Sequence, residues 1–228
     1  MKFIIGNWKM NGNQEQRDTM LTELSRVKTK NKIVLCLPFT LLGCDNHNIA
    51  IGAQNVSEHD NGAYTGDISA TMLRYMGANY VIVGHSERRL YHNETNETTR
   101  AKAVAAIRAG LIPIICVGET MEEKNAGHTT AVIKKMLLES IPDIGEYIVA
   151  YEPRWAIGSG LTPTTNEIVT AVKTVFDTMP TPVPILYGGS VTATNARDIV
   201  SIPYVDGLLI GGASLKIDTF IPIIKTVD

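Results

Sequence analysis

Charged and polar side chains follow several apolar runs of this sequence, at the positions where α/β enzymes hold their chemistry. Glu152 comes directly after the run 147–151 and precedes a Pro-x-Trp corner and a glycine-bearing loop. His85 follows the run 80–83, and Lys9 lies two residues beyond Asn7, after the first run. A carboxylate, an imidazole and an ammonium at strand ends are suited to acid–base catalysis. Glu152 is therefore the candidate base, next to a loop that could fold over it.

Taken singly, each of these residues has an ordinary structural alternative. Glu152 could end a strand in a plain turn, His85 could be a hydrogen-bonded structural histidine, and Lys9 could be a solvated surface lysine. The Ser-Glu-Arg-Arg segment after His85 would place its ring at a helix N-terminus, which favours the neutral imidazole. Residues 87–89 are expected to form ion pairs rather than to react.

Two glycine-rich turns follow the last two apolar runs. YGGS occupies 187–190 and GGAS occupies 211–214, and each leads into helix-compatible sequence. Backbone N–H groups at a helix N-terminus, unobstructed by a Cβ atom, bind phosphate. In eightfold barrels the loops after strands seven and eight form the usual phosphate site. Two such turns predict an anion site beside the acid–base residues.

The elements that must position these residues are eight short apolar runs that alternate with helix-period stretches. The runs lie at 3–5, 33–37, 49–53, 80–83, 112–117, 147–151, 184–187 and 207–210. The helical stretches lie at 15–28, 94–109, 122–139, 166–178 and 213–225. Unalternating β-branched runs are typical of parallel strands that are buried on both faces. Strand–helix repetition fits an open doubly wound sheet or a closed (β/α)8 barrel, and eight units favour the barrel.

The chain is expected to form a single domain over residues 1–228, because no linker, charge block or low-complexity tract divides it. The second crossover is short. Only residues 39–48 separate the second run from the third, so a single turn is expected there instead of a full helix.

Composition excludes several classes of partner. The 228 residues carry 21 Lys and Arg against 23 Asp and Glu, so we expect no attraction to nucleic acid or to a membrane surface. No apolar run approaches the roughly 20 residues that span a bilayer. The three cysteines, Cys36, Cys44 and Cys116, form no CxxC pair, and no signal peptide precedes the first run. We therefore expect a cytoplasmic protein with reduced thiols.

Neither a metal nor an organic cofactor is predicted. The remaining histidines have no HExxH or comparable ligand spacing. The GSG segment at 158–160 lacks the spacing of a dinucleotide fingerprint, and no GxxxxGK[ST] motif is present.

Six motifs, in order along the chain, resemble those of the triosephosphate isomerase family. They are GNWKMN at 6–11, GAQNVS at 52–57, GHSERR at 84–89, AYEP with WAIG at 150–158, YGGSV at 187–191, and DG with GGASL at 206–215. The resemblance extends from the first strand to the last helix. It implies a TIM barrel that interconverts glyceraldehyde 3-phosphate and dihydroxyacetone phosphate, in glycolysis and gluconeogenesis.

The resemblance also implies a role for each site residue. Glu152 would be the base that moves a proton between C1 and C2, His85 the neutral electrophile, and Lys9 the positive charge beside the enediolate oxygen, with Asn7 orienting the same end. The phosphate would be bound by backbone N–H groups of Gly158, Ser190, Gly211 and Gly212. A free glutamate, with a pKa of about 4.3, is a weak base, so desolvation under the lid 153–160 would have to raise its pKa to about 6–7.

The resemblance further implies a homodimer, in which the loop around Thr65 inserts near the partner's Lys9. The sequence departs from the family pattern at Arg154 and at 161–163, the two hinges of the lid, and at Asp67 in the loop. These departures concern lid motion and assembly, including association beyond a dimer. Two rivals remain: another phosphosugar barrel enzyme, such as a Lys-dependent aldolase or a phosphoribosyl isomerase, and a metabolite-binding barrel without activity.

Overall fold

The computed structural model describes residues 1–43, 49–157 and 161–228, which form a closed barrel of eight parallel strands. Each strand pairs with its neighbours in sequence, and the first pairs with the last, so the expected closed barrel is confirmed. The strands are β1 (Phe3–Asn7), β2 (Lys32–Leu37), β3 (Ala50–Ala53), β4 (Tyr80–Val83), β5 (Ile112–Val117), β6 (Ile148–Tyr151), β7 (Ile185–Tyr187) and β8 (Gly207–Ile210).

The described residues also form helices between the strands. They are α1 (Gln14–Ser25), α2 (Ala70–Tyr75), α3 (Ser86–Tyr91), α4 (Asn96–Arg108), α5 (Met121–Asn125), α6 (Thr129–Ser140), α7 (Thr165–Thr178), α8 (Ala196–Val200) and α9 (Ile217–Val227). Side-chain caps define many of their starts. Thr95, Thr120 and Thr164 each close a capping box, which satisfies N–H groups that the first helical turn leaves free.

Two apolar cores hold the barrel together. The larger core lies between the strands and the surrounding helices. The smaller core fills the bore of the barrel with side chains such as Ile5, Ile82, Ile148 and Leu209. Because alternate strand residues point to opposite faces, each strand contributes to both cores. The bore is filled with side chains and the strands run parallel. The carboxyl ends of all eight strands therefore lie at one mouth of the barrel, where the strand-end residues meet.

The predicted helical stretch 122–139 is two helices in the structure. Gly127 has a φ of 73°, a left-handed conformation that ends α5 before α6 begins. The predicted helical stretch 213–225 also consists of two elements. They are a 3-10 turn, Gly212–Ser214, and the helix α9, which begins at Ile217. The six-residue α2 and the five-residue α8 were not among the predicted helical stretches, and for α3 only the start, after His85, was expected.

The second crossover is short, as predicted. A 3-10 turn, Phe39–Leu41, follows β2, and residues 44–48, which include Cys44, lie outside the described part of the chain. None of the helices described is both long and apolar enough to cross a membrane. Nor do the described residues bring together three His, Cys, Asp or Glu side chains that could hold a metal ion.

Candidate active site

Glu152 follows β6 directly and is buried at the barrel mouth. Its backbone N–H donates to the Val117 carbonyl over 2.8 Å, which fixes its Cα at the end of the strand. Its side chain is turned towards β4: Oε1 lies 3.0 Å from His85 Nε2, and Oε2 accepts the Ser86 backbone N–H over 3.2 Å. The carboxylate is therefore held by groups at the end of a second strand.

In this arrangement the surroundings of Glu152 lower its pKa, and the rise expected under the closed lid stays a prediction. Burial raises the pKa of the carboxyl group, but the adjacent His85 ring and the Ser86 N–H outweigh burial and lower it below the usual value. Both partners stabilise the ionised form. Glu152 is thus a carboxylate at neutral pH, ready to accept a proton.

His85 caps the N-terminus of α3, as the sequence predicts. Its Nδ1 accepts the backbone N–H of Glu87 over 3.2 Å, so the proton of a neutral ring lies on Nε2 and points to Glu152. Burial lowers the pKa of His85, whereas the Glu152 carboxylate raises it, and the net shift is upward. A substrate that separates the two side chains would remove the influence that raises this pKa.

Lys9 lies beyond β1 in a strained backbone conformation. Its φ of 53° is left-handed, which is uncommon for a residue with a side chain, and the Asn7 side-chain oxygen accepts its N–H over 3.0 Å. The ammonium donates to Glu87 Oε1 over 2.6 Å. Glu87 therefore contacts the lysine through its side chain and the His85 ring through its backbone. The ion pair expected at Glu87 is present, with Lys9 as its partner. Glu87 therefore orients two candidate catalytic groups, Lys9 through the ion pair and His85 through the backbone hydrogen bond.

The glycine-rich turns complete the mouth, and the turn after β8 lies beside Lys9. The Lys9 side chain passes 3.4 Å from the position that a Cβ atom on Gly211 would occupy, whereas the corresponding position on Gly212 is open. Gly212 opens a 3-10 turn, as expected for a turn leading into a helix. The turn after β7 differs from expectation, because α8 begins only at Ala196, well beyond Ser190.

One cavity of about 300 Å³ joins the predicted residues. It is lined by Asn7, Lys9, His85, Glu152, Ser190, Gly211 and Gly212. Gly158 lies outside the described residues. The cavity therefore brings a base, an imidazole, an ammonium and the two glycine-rich turns to one place, large enough for a small phosphorylated metabolite.

One residue of the cavity wall, Gly188, and one residue outside the cavity, Glu119, escaped the sequence analysis. Gly188 lines the cavity, and a Cβ atom there would lie 2.8 Å from Glu152 Cγ. Glu119, which is 1% exposed, accepts hydrogen bonds from Tyr151 and Trp155 over 3.2 and 2.9 Å. The doublet Gly188-Gly189 predicted a turn, but it did not indicate that Gly188 leaves space for the side chain of Glu152. Glu119 lies two residues beyond the end of β5, and Glu152 directly follows β6. This position after a strand was the sequence feature that could have identified Glu119.

Gly188→Ala is expected to lower kcat by about tenfold while the protein stays folded, since a methyl group would displace Glu152 from its present position. Steady-state kinetics and thermal unfolding of the variant check this. Unchanged kcat would show that the base does not need the space that Gly188 leaves.

Comparison with known proteins places this barrel in a family. The family model for triosephosphate isomerase matches residues 2–227. Triosephosphate isomerases from Rhodopseudomonas palustris and Herminiimonas arsenicoxydans are 45% and 43% identical to the chain. The alignments cover 97% of this chain and 95% of the first relative, and 98% of both chains for the second.

A solved structure agrees with the sequence relatives. The crystal structure of triosephosphate isomerase from Bartonella henselae superposes with a TM-score of 0.89 at 39% identity, covering 99% of this chain and 98% of that one. The sequence match and the shared barrel both extend over nearly the whole chain. The chain therefore belongs to the triosephosphate isomerase family, the isomerases that interconvert the aldose and ketose triose phosphates.

Proposed function

We propose that the barrel-mouth cavity is the active site, in which Glu152 transfers a proton between C1 and C2 of the triose phosphate through an enediolate. The observation that carries this proposal is the pairing of two buried groups, Glu152 Oε1 and His85 Nε2, 3.0 Å apart on the cavity wall. A substrate carbon that entered between them would meet a base on one side. Its oxygens would meet an N–H donor on the other.

The base becomes stronger when substrate displaces its partners. In the free enzyme, His85 and the Ser86 N–H lower the pKa of Glu152. Loss of those contacts leaves burial as the dominant influence, and burial raises the pKa of a carboxyl group. The surroundings therefore lower the pKa of Glu152 in the free enzyme and would raise it in the complex with substrate.

His85 and Lys9 stabilise the charge that develops on the substrate oxygens. An α-proton beside a carbonyl is weakly acidic, so donors must already be oriented at the oxygen that becomes negative. His85 donates from Nε2 and moves protons between the enediolate oxygens, while the Lys9 ammonium supplies positive charge. Asn7 supports this end by accepting the Lys9 backbone N–H.

The phosphate group is assigned to the glycine-rich turns of the cavity wall. Ser190, Gly211 and Gly212 line it there, and Gly158 is assigned to the same phosphate through the lid 153–160. Closure of this lid would exclude water from the enediolate and protect it from losing phosphate. In this scheme residues 1–228 act as one domain in the cytoplasm.

Turnover of both triose phosphates by the purified protein tests the proposal. We expect rapid interconversion, without added metal or cofactor, measured by coupled assays in each direction. A folded protein that binds triose phosphate without converting it would contradict the proposal and would favour the binding-barrel alternative.

A homodimer is part of the proposed function. The loop 55–69 is braced internally: Ser57 Oγ donates to Asp67 Oδ2 over 2.6 Å, and the His59 and Tyr64 rings stack 3.9 Å apart. A loop with these contacts is suited to insertion into a partner. We propose that its tip, around Thr65, lies near the partner's Lys9.

Thr65→Arg is expected to yield monomers with at least about tenfold lower activity, because a cation near the partner's Lys9 is repelled. Sedimentation would report the wild type at twice the chain mass of 24.9 kDa. Ser25→Arg, an exposed position on α1, is the matched control. A dimeric and fully active Thr65→Arg variant would contradict the loop's assigned position.

A further inference from the structure

The chain on both sides of segment 156–163 is held by two carboxylates, Glu119 before α5 and Glu167 in α7. Before the segment, the Arg154 N–H donates to the Glu119 carbonyl over 3.0 Å, and Trp155 Nε1 donates to Glu119 Oε1 over 2.9 Å. After the segment, Thr164 donates from its backbone N and its hydroxyl to Glu167 Oε2, over 2.7 and 2.9 Å. A carboxylate therefore holds each end of the segment. Before the segment it is the buried Glu119, and after the segment it is Glu167, which belongs to the capping box of α7.

Lys124 contacts both ends. Its ammonium lies 3.5 Å from the centroid of the Trp155 ring and 2.9 Å from Glu167 Oε1. Glu167 thus accepts Thr164 on one oxygen and Lys124 on the other. A cation over an indole face is attracted by the ring quadrupole, and its ion pair on the opposite side fixes where that cation lies.

Lys124 stands on a rigid base. The capping box between Thr120 and Glu123 fixes the start of α5, with Thr120 N donating over 2.8 Å and Glu123 N over 3.2 Å. Lys124 is the next residue, and its side chain is only 26% exposed. A half-buried ammonium that is held on both sides has less freedom to leave than a surface lysine.

We propose that Lys124 is a positioning residue for the isomerisation: its ammonium clamps Trp155 and Glu167 together and so sets the spacing between the two ends of the lid. The inference rests on the proposed role of 153–163 as a lid with its hinges. Lys124 acts through Trp155 and Glu167 and does not line the active-site cavity. A clamp of this kind holds Trp155 and Glu167 at a fixed spacing, so less conformational entropy would be lost between them when substrate binds.

The side reaction of the enediolate provides a sensitive measure of closure. If water reaches the intermediate, the C–O bond to phosphate breaks, inorganic phosphate leaves with the bonding electrons, and the remaining enol becomes methylglyoxal. The reaction is redox-neutral and needs no further reactant. The ratio of phosphate released to isomer formed does not depend on how much protein is active, so partial unfolding does not change it.

Lys124→Met removes the charge and keeps most of the side-chain length. We expect about a fivefold to tenfold fall in kcat/KM and a rise of similar size in the phosphate-release ratio, as for loss of one cation–π contact and its ion pair. Lys124→Arg, which keeps the cation, should stay within about twofold of the wild type. Lys173→Met, which breaks the Lys173–Asp177 pair on the outer face of α7, is the matched control.

A variant lacking residues 157–160 separates failure of the clamp from failure of the lid. If this deletion raises the phosphate-release ratio and Lys124→Met does not, the clamp is wrong and the lid stands. If neither change affects the ratio, the lid role is wrong and the inference falls with it. An effect of Lys124→Met that Lys124→Arg shares in full would also overturn the proposal, because the cation would then be irrelevant.

Discussion

Glu152→Gln is expected to lower kcat by roughly 10³-fold to 10⁴-fold, the range found when a positioned general base is removed. The amide has the size of the carboxylate and can still accept the Ser86 N–H, but it cannot take a proton from carbon. KM should change little, because the proposed function assigns Glu152 to the reacting carbon and not to the phosphate. Steady-state kinetics in both directions measure the effect.

The fold should survive this change. Glutamine fills the space beside Gly188, and its single side-chain oxygen can accept from either the Ser86 N–H or His85 Nε2, so the variant loses one of two buried hydrogen bonds, a small part of the stability of the barrel. Thermal unfolding of the variant should lie within a few degrees of the wild type. Glu15→Gln, an exposed change on α1, is the control. A loss of less than about tenfold at Glu152 would contradict its assignment as the base.

His85→Gln is expected to lower kcat by about 10²-fold to 10³-fold, because an amide can donate to the substrate oxygen but cannot pass a proton between the two enediolate oxygens. His128→Gln, an exposed position before α6, should leave kcat unchanged. If His85→Gln retained more than about a third of wild-type kcat, the electrophile would have to be sought elsewhere, with Lys9 first.

The charge of Glu152 also determines the titration of His85. In the wild type the carboxylate raises the pKa of His85 against the effect of burial. In Glu152→Gln that charge is absent, so burial dominates and the pKa of His85 should fall below its wild-type value. An NMR titration of the ring detects the change. A rise, or no change, would mean that the two side chains are not coupled as the structure indicates.

The sequence predicted the strands well because their apolar runs are short, continuous and β-branched. For β5 and β8 the predicted and observed bounds agree, and for β3 the start differs by one residue. The short helices were harder to predict. The helix α3 lasts only six residues, from Ser86 to Tyr91, and a helix so short has too few turns to display a period. The division between α5 and α6 depends on one left-handed glycine, Gly127.

Candidate site residues other than Gly158 could be proposed from the sequence because they lie at the end of a strand or within three residues of it, and parallel strands of a barrel bring their carboxyl ends to one mouth. The room for Glu152 beside Gly188 and the strained backbone of Lys9 could not be predicted, because both depend on close approach between distant segments. The lowered pKa of Glu152 was missed for the same reason. Burial alone predicts a rise, and the opposing contact with His85 arises only when β4 and β6 are placed in the barrel.

Hydrogen exchange at carbon tests the central claim, that Glu152 removes the substrate proton, more directly than turnover does. Dihydroxyacetone phosphate would be incubated with the protein in D₂O, and proton NMR would follow replacement of the C1 hydrogen. We predict that the wild type introduces deuterium on carbon, because the protonated Glu152 exchanges with solvent, and that Glu152→Gln introduces it at least about 10³-fold more slowly. Equal rates of deuterium uptake in both proteins would show that another group is the base and would contradict the account.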